Sequence, residues 1–354
     1  MSNSSISVTP TKTSRLGQVR WDQLGFGRIF SDHMLVADFR QGAWQPPAIV
    51  PYGPIAFTPS MSSLHYGQSI FEGMKSTREH SSGAPLLFRP RDNWQRMNCS
   101  ARRLCMPELP EAIFLDGLRA LVRVDRDWLP PNVTGSLYIR PVLFATDEFV
   151  GVRPSDSYKF VIFTSPVGAY YSEPVALCVL RNFARACEGG TGSTKMAGNY
   201  AGCLLGTREA QKKGYKDVMW LDAKDHRAIE ECGTMNIFFV IGGEVITPPA
   251  SGTILAGVTR ESVITLLRDA GRKVSERRIE IEEVVAAHAA GRLEECFGTG
   301  TAATVSHVSR IGVDGVDLQL PPIAERRVAQ QALDELTAIR TGRANDRYGW
   351  IDRP

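Results

Sequence analysis

Gly189-Gly190-Thr191-Gly192-Ser193-Thr194-Lys195-Met196-Ala197-Gly198-Asn199-Tyr200 places a lysine at the end of a loop of small residues, directly before a helix-like stretch. Three readings compete for such a loop. A nucleoside-triphosphate loop requires Gly-x-x-x-x-Gly-Lys-Ser/Thr, whose last glycine and hydroxyl serve phosphate and Mg²⁺. Here Thr194 precedes the lysine and Met196 follows it. The dinucleotide pattern Gly-x-Gly-x-x-Gly also fails, because Lys195 stands where the third glycine belongs. What remains is a plain turn of the chain, or a lysine covalently bonded to a flat cofactor, whose ring tolerates no bulky neighbours.

Around this loop the chain reads as an ordinary globular protein. Its 354 residues, 43% hydrophobic and 22% charged, suffice for two domains with sizeable cores. A net charge of +3, with no basic run interleaved with aromatics, argues against a nucleic-acid partner. No apolar stretch approaches bilayer length, so no membrane partner is expected. Seven cysteines form no Cys-x-x-Cys pair, and this odd, scattered set points to reduced thiols in the cytoplasm. The six histidines are equally dispersed, and no metal site is expected. The first 20 residues are rich in Ser and Thr and contain no acid, a composition that weakly resembles an organellar transit peptide, but without an apolar face or a clear cleavage site they read as a flexible arm.

The pattern along the chain is mixed. Asn93 to Leu104 reads as a helix after the turn at 90–92, and Tyr138 to Phe144 and Tyr158 to Thr164 read as strands. Ser165 to Pro174, with Tyr170 and Tyr171, reads as a linker between two α/β halves. The expected division is therefore an arm at 1–20, a small domain at 21–166, a loop at 167–175 and a larger domain at 176–354 carrying Lys195. In that second half Tyr200, Leu204 and Thr207/Arg208 recur at helical spacing and are expected to be buried, with Gly214 as the stop. Val218 to Leu221 and Ile237 to Ile241 read as strands, and Gly242-Gly243 as a hairpin turn into Glu244–Thr247. A helix opens near Val258 and ends at Gly271, burying Val263, Leu266, Leu267 and Ala270. A last helix, from about 324 to 339, buries Val328, Ala332, Leu336 and Ile339. The fold class is α/β (α+β), not a regular Rossmann domain.

Two further turns suit an anion. Thr253-Ile254-Leu255-Ala256-Gly257-Val258-Thr259-Arg260 runs into a helix N-terminus, where backbone N–H groups and the dipole favour phosphate. Phe297-Gly298-Thr299-Gly300-Thr301-Ala302-Ala303 offers small residues and hydroxyls, or simply a tight strand-to-helix turn. One special lysine with two anion-ready turns fits a cofactor bearing an aldehyde and one phosphate, which is pyridoxal 5'-phosphate.

From here the sequence resembles the branched-chain amino acid aminotransferases of the fold-type IV pyridoxal-phosphate class. The resemblance covers nearly the whole chain after the arm. It runs through Phe26-Gly27-Arg28-Ile29-Phe30-Ser31-Asp32-His33-Met34, Leu64-His65-Tyr66-Gly67-Gln68-Ser69-Ile70-Phe71-Glu72-Gly73, Phe88-Arg89-Pro90, Arg96-Met97 and Tyr138-Ile139-Arg140-Pro141. The lysine loop, Glu231-Cys232-Gly233-Thr234-Met235-Asn236 and the two turns complete it.

The resemblance implies a small N-terminal α/β domain, a larger pseudo-barrel domain and a homodimer. It implies that Lys195 forms the Schiff base, that Tyr200 lies near the cofactor's 3'-oxygen, and that Glu231 faces the pyridine nitrogen. Glu230 is the competing choice, left as a solvated face. Arg96 and Arg185 match the arginines around the phosphate, with Leu255, Gly257, Val258, Thr259, Gly300 and Thr301 completing its cup and Thr234 a further cofactor contact. Tyr66, Phe71, Tyr138 and Arg140, with Thr301 and Ala302, match the substrate side. On its own chemistry, Arg140 within an apolar strand requires an anion, either a substrate carboxylate or a structural Asp. Where many mitochondrial members carry Cys-x-x-Cys, this chain has Ala303-Thr304-Val305-Ser306, so no thiol redox switch is expected. The implied reaction is transamination of Leu, Ile or Val with 2-oxoglutarate. The alternatives are an aminotransferase for another or modified amino acid, a D-amino acid aminotransferase, an aminodeoxychorismate lyase, and a non-catalytic binding protein of the same fold.

Overall fold

The structure, a computed structural model, describes residues 6–131, 135–168 and 173–354. The chain divides into two units. One comprises Met1–Tyr170, Lys195–Ala197 and Ala338–Pro354; the other comprises Tyr171–Thr194 and Gly198–Thr337. A single boundary at 167–175 does not anticipate the two returns of the chain to the first unit. The strand expected to end at Thr164 continues to Val167, and Tyr170 and Tyr171 lie outside the described residues.

The first unit is built on a ten-stranded sheet among the described residues. Its centre is the antiparallel pair Ser136–Ala145 and Tyr158–Val167, matched residue for residue over ten positions. Inward side chains such as Leu137, Ile139, Leu143, Phe160 and Ile162 are fully buried. The helix Pro90–Arg103 has proline in its first turn, where a missing N–H costs nothing, and adds Met97 and Ala101 to that core. Within the expected arm, Ser7 and Val8 pair with Ala48 and Ile49, and the Thr11 N–H donates to His33 Nε2 at 3.0 Å.

The second unit holds a nine-stranded mixed sheet among the described residues. Val175–Val179 runs parallel to both Asp217–Leu221 and Thr304–Val313. A parallel pair needs a long crossover, and between Val175–Val179 and Asp217–Leu221 that crossover includes the helix Ala197–Lys212. Its buried residues are Cys203, Gly206 and Ala210, not the expected Tyr200–Leu204 stripe, and Leu204 is 69% exposed. Small side chains win the inner face because the helix presses on the sheet: a Cβ on Gly206 would stand 2.8 Å from Trp220. The helix Val258–Asp269 buries Val263, Leu266 and Leu267 as expected. Ala270 is exposed instead, because the helix has already ended and Gly271 turns the chain at φ +76°. The hairpin at Gly242-Gly243 and the buried face of Val328–Arg340 also match the sequence reading.

Candidate active site

In the second unit the site grows from the strand Ile229–Cys232, whose four residues are all buried. Glu231 Oε2 lies 3.0 Å from Arg185 Nε, both side chains almost wholly shielded. The Leu255 N–H donates to Glu231 Oε1 at 2.8 Å. Arg185 Nη2 donates to the carbonyls of Gly192 at 2.9 Å and Thr253 at 2.6 Å. One guanidinium thus ties together the loop before the lysine, the turn at 253–255 and the carboxylate. Tyr200, Thr234 and Leu255 line the same small cavity as Arg185 and Glu231. A buried ion pair of this kind is weak evidence for stability, but it fixes the direction of the carboxylate.

The first anion-ready turn joins this cluster. Gly257 caps the helix Val258–Asp269 in an extended conformation, and no side chain caps it. The positive end of the dipole at Val258 and Thr259 favours an anion. Gly257 is required here, since a Cβ would collide with Asn236 Oδ1. The Asn236 amide in turn donates to Leu255 O at 2.9 Å. Asn236 also pairs with Thr299, so the strand Leu293–Gly300 delivers Gly300, Thr301 and Ala302 from the same end of the sheet. The alternative of a strand-to-helix turn does not hold: Gly300 pairs with Thr304, and the chain returns as the strand Thr304–Val313. A buried carboxylate, a tyrosine, hydroxyls and a helix start are donors and acceptors that would suit a phosphorylated pyridine.

Glu230 is not a solvated face. It is 6% exposed, and burial pushes its carboxyl above the ordinary range against the opposing pull of a Thr253 hydrogen bond. Both faces of this short strand are covered, so alternation sends Glu230 and Glu231 to opposite sides without exposing either.

In the first unit Lys195 is fixed through its backbone. Its N–H donates to Ser100 Oγ at 3.1 Å, and its carbonyl accepts from the Phe71 N–H at 3.0 Å. Its Nζ lies 5.1 Å from the centre of the Phe71 ring. The Arg140 guanidinium lies 4.5 Å from the same ring centre and donates to Tyr138 Oη at 2.8 Å. Lys195, Phe71, Tyr138 and Arg140 are therefore one group, and the partner that Arg140 finds within the chain is a phenol rather than an Asp. Arg96 donates twice to the fully buried Glu72, each time at 2.7 Å. Five N–H donors let a guanidinium hold a carboxylate and still meet an oxyanion. Tyr66 stands apart, 40% exposed at the end of the short helix Ser62–Tyr66.

Four positioning residues escaped the sequence reading: Glu72, Ser100, Asn236 and Thr253. Glu72 had a signal, since an arginine on the inner half of an amphipathic helix requires an acid. The other three act through one hydroxyl, amide or carbonyl each, which no pattern announces.

The model of the amino-transferase class IV family matches residues 69–311, and the chain belongs to that family. It is 46% identical over 333 residues to branched-chain-amino-acid aminotransferase 2 of Bacillus subtilis (strain 168), covering 93% of this chain and 92% of that protein. The branched-chain aminotransferase of Thermoproteus uzoniensis with norvaline matches in structure with a TM-score of 0.74 at 26% identity, over 90% of this chain and 99% of that one. The T.th. branched-chain amino acid aminotransferase with pyridoxamine 5'-phosphate matches with a TM-score of 0.72 at 26% identity, over 90% and 97% of the two chains. The fold is that of the fold-type IV aminotransferases.

Proposed function

We propose that the protein transfers the amino group of L-leucine, L-isoleucine or L-valine to 2-oxoglutarate, with pyridoxal 5'-phosphate, as a cytoplasmic homodimer. The reading rests on the grouping of Arg185, Tyr200, Glu231, Thr234 and Leu255 in a family whose cited relatives are named for branched-chain substrates. A dimer would cover apolar side chains that a single chain leaves exposed, among them Leu64, Phe149 and Val152.

When bound, pyridoxal phosphate supplies an electrophilic aldehyde and a ring able to stabilise negative charge. Lys195 is the residue that would hold the aldehyde. With the donor's amine in its place, the Lys195 Nζ would be the base that accepts the donor's α-proton and hands it to the carbon that bore the aldehyde. Glu231, as an anion, keeps a proton on the ring nitrogen, and Arg185 with Leu255 fixes its direction. Tyr200 would face the 3'-oxygen. Val258, Thr259 and Thr301 would receive the phosphate, with Arg96 and Arg185 as its cations and Leu255, Gly257, Gly300 and Thr234 shaping the cup. Phe71 gives the substrate an apolar wall. Arg140 with Tyr138 offers a carboxylate a charged and a neutral donor. Phe71 would then meet the aliphatic side chain in the first half-reaction, and Arg140 with Tyr138 the carboxylate in the second.

The test is an amino-donor screen with purified protein and 2-oxoglutarate, scored by glutamate formed and run with L- and D-amino acids. Preference for L-Leu, L-Ile and L-Val is expected. Silence with those three and a response to another donor would move the assignment to a specialised aminotransferase.

A further inference from the structure

The strand Ile229–Cys232 carries two glutamates, and the reaction uses only Glu231. Glu230 lines a separate cavity of about 480 Å³ in the second unit, walled by Pro248, Pro249 and Ile254 and reached by Cys187. That volume falls within the range of small-molecule sites. Glu230 is 6% exposed, and its Oε2 has no hydrogen-bond partner. Of the nearby cations two are committed elsewhere, while Lys224 also lines the cavity. Arg185 pairs with Glu231 at 3.0 Å, and Arg278 pairs with Asp225 at 3.5 Å and Glu280 at 3.4 Å. Two further acids, Glu188 and Asp222, line the cavity, and Asp222 is taken by the backbone N–H groups of Arg227 at 2.9 Å and Ala228 at 2.6 Å. Beyond the Thr253 hydrogen bond to the carboxyl, what the cavity offers a ligand is the shielded Oε2 lacking a donor, beside two prolines and an isoleucine.

We propose that this cavity binds a small alkylammonium ion, its N–H bonded to Glu230 and its hydrocarbon packed on Pro248, Pro249 and Ile254. A body without a donor would leave the Glu230 oxygen unmet, a neutral hydroxyl would meet it without balancing its charge, and an anion would face it with like charge. The segment that walls the cavity also supplies the Thr253 carbonyl to Arg185 and the Leu255 N–H to Glu231. The ligand is thus one turn of chain from the pair assigned to the cofactor, and the inference stands whatever that cofactor does.

Cys187 reports on occupancy. It is exposed and lines the cavity, whereas Cys99 and Cys105 are exposed and do not. Holoenzyme is alkylated with iodoacetamide and the three thiols are followed by peptide mass spectrometry. The probes are N-methylpyrrolidinium, cyclopentanol and cyclopentanecarboxylate, none of which forms an imine with an aldehyde. The cation should slow Cys187 about fivefold at about four times its Kd, leaving Cys99 and Cys105 unchanged. Glu230→Gln should remove that protection. No protection by the cation, equal protection by the alcohol or the carboxylate, or protection that survives Glu230→Gln would overturn the proposal. Should that variant fail to fold, the three probes on the unaltered chain still decide. Alkylation does not require turnover, so its failure leaves the transaminase assignment standing.

Discussion

Glu230 and Glu231 are one position apart, and their surroundings share little. Glu231 has a buried guanidinium at 3.0 Å and a backbone N–H at 2.8 Å. Glu230 is buried to a similar degree, its Oε2 has no donor, and its carboxyl is pushed up chiefly by burial. Depth alone therefore does not set the role of an acid; the donors that accompany it do. One side of the strand is a finished electrostatic device, and the other is unmet demand.

The largest effect should come from breaking the finished side. Glu231→Gln leaves Arg185 buried without its acid, which should cost about 3–5 kcal/mol of stability. Loss of a fixed charge aimed at the reacting ring should lower kcat about a hundredfold or more. Thermal melts and steady-state kinetics check both. A variant with unchanged kcat would remove Glu231 from the site.

Lys75 in the first unit sharpens the comparison from the cationic side. Burial, with the like charge of Arg340, pushes its ammonium down to about 7. Between that value and about 10.4 the unfolded chain holds more protons than the folded one, so stability rises with pH, approaching about 1.4 kcal/mol per pH unit. Lys75→Met should flatten a series of melts across that window. A slope that persists in the variant would assign the titration to another group.

Glu230→Gln should have the smallest effect, and an opposite sign in pH. With a raised folded pKa, the native state binds the extra proton, so stability is lost as pH rises from about 4.3 through the folded value. The amide removes that loss. The variant should match the unaltered chain at acid pH and be more stable by up to about 1 kcal/mol at neutral pH, with kcat unchanged. A variant less stable at every pH would mean that the carboxylate already has its partner.

Most elements were legible where one periodicity ruled, as in Asn236–Ile241 with its glycine turn or the buried stripe of Val328–Arg340. Legibility failed where packing on a second surface decided the outcome. The inner face of Ala197–Lys212 is set by Gly206 against Trp220, a fit invisible in hydropathy. Ile229–Cys232 is too short for its alternation to reveal that both sides are covered. The site followed the same rule. Lys195, Glu231 and the turn before Val258 carry motifs, whereas Arg96 calls for an acid without telling that it is Glu72, 24 residues earlier in sequence. Nor does the loop itself tell that Lys195 belongs with Phe71, since the hydrogen bond that joins them lies between backbones.

The central claim is that Lys195 carries the cofactor, and it can be read directly. Holoenzyme reduced with borohydride, digested and mapped by mass spectrometry should carry one phosphopyridoxyl group, on the peptide containing Lys195, and Lys195→Ala should carry none. A modification on another lysine, or a reduced enzyme without one, would contradict the account.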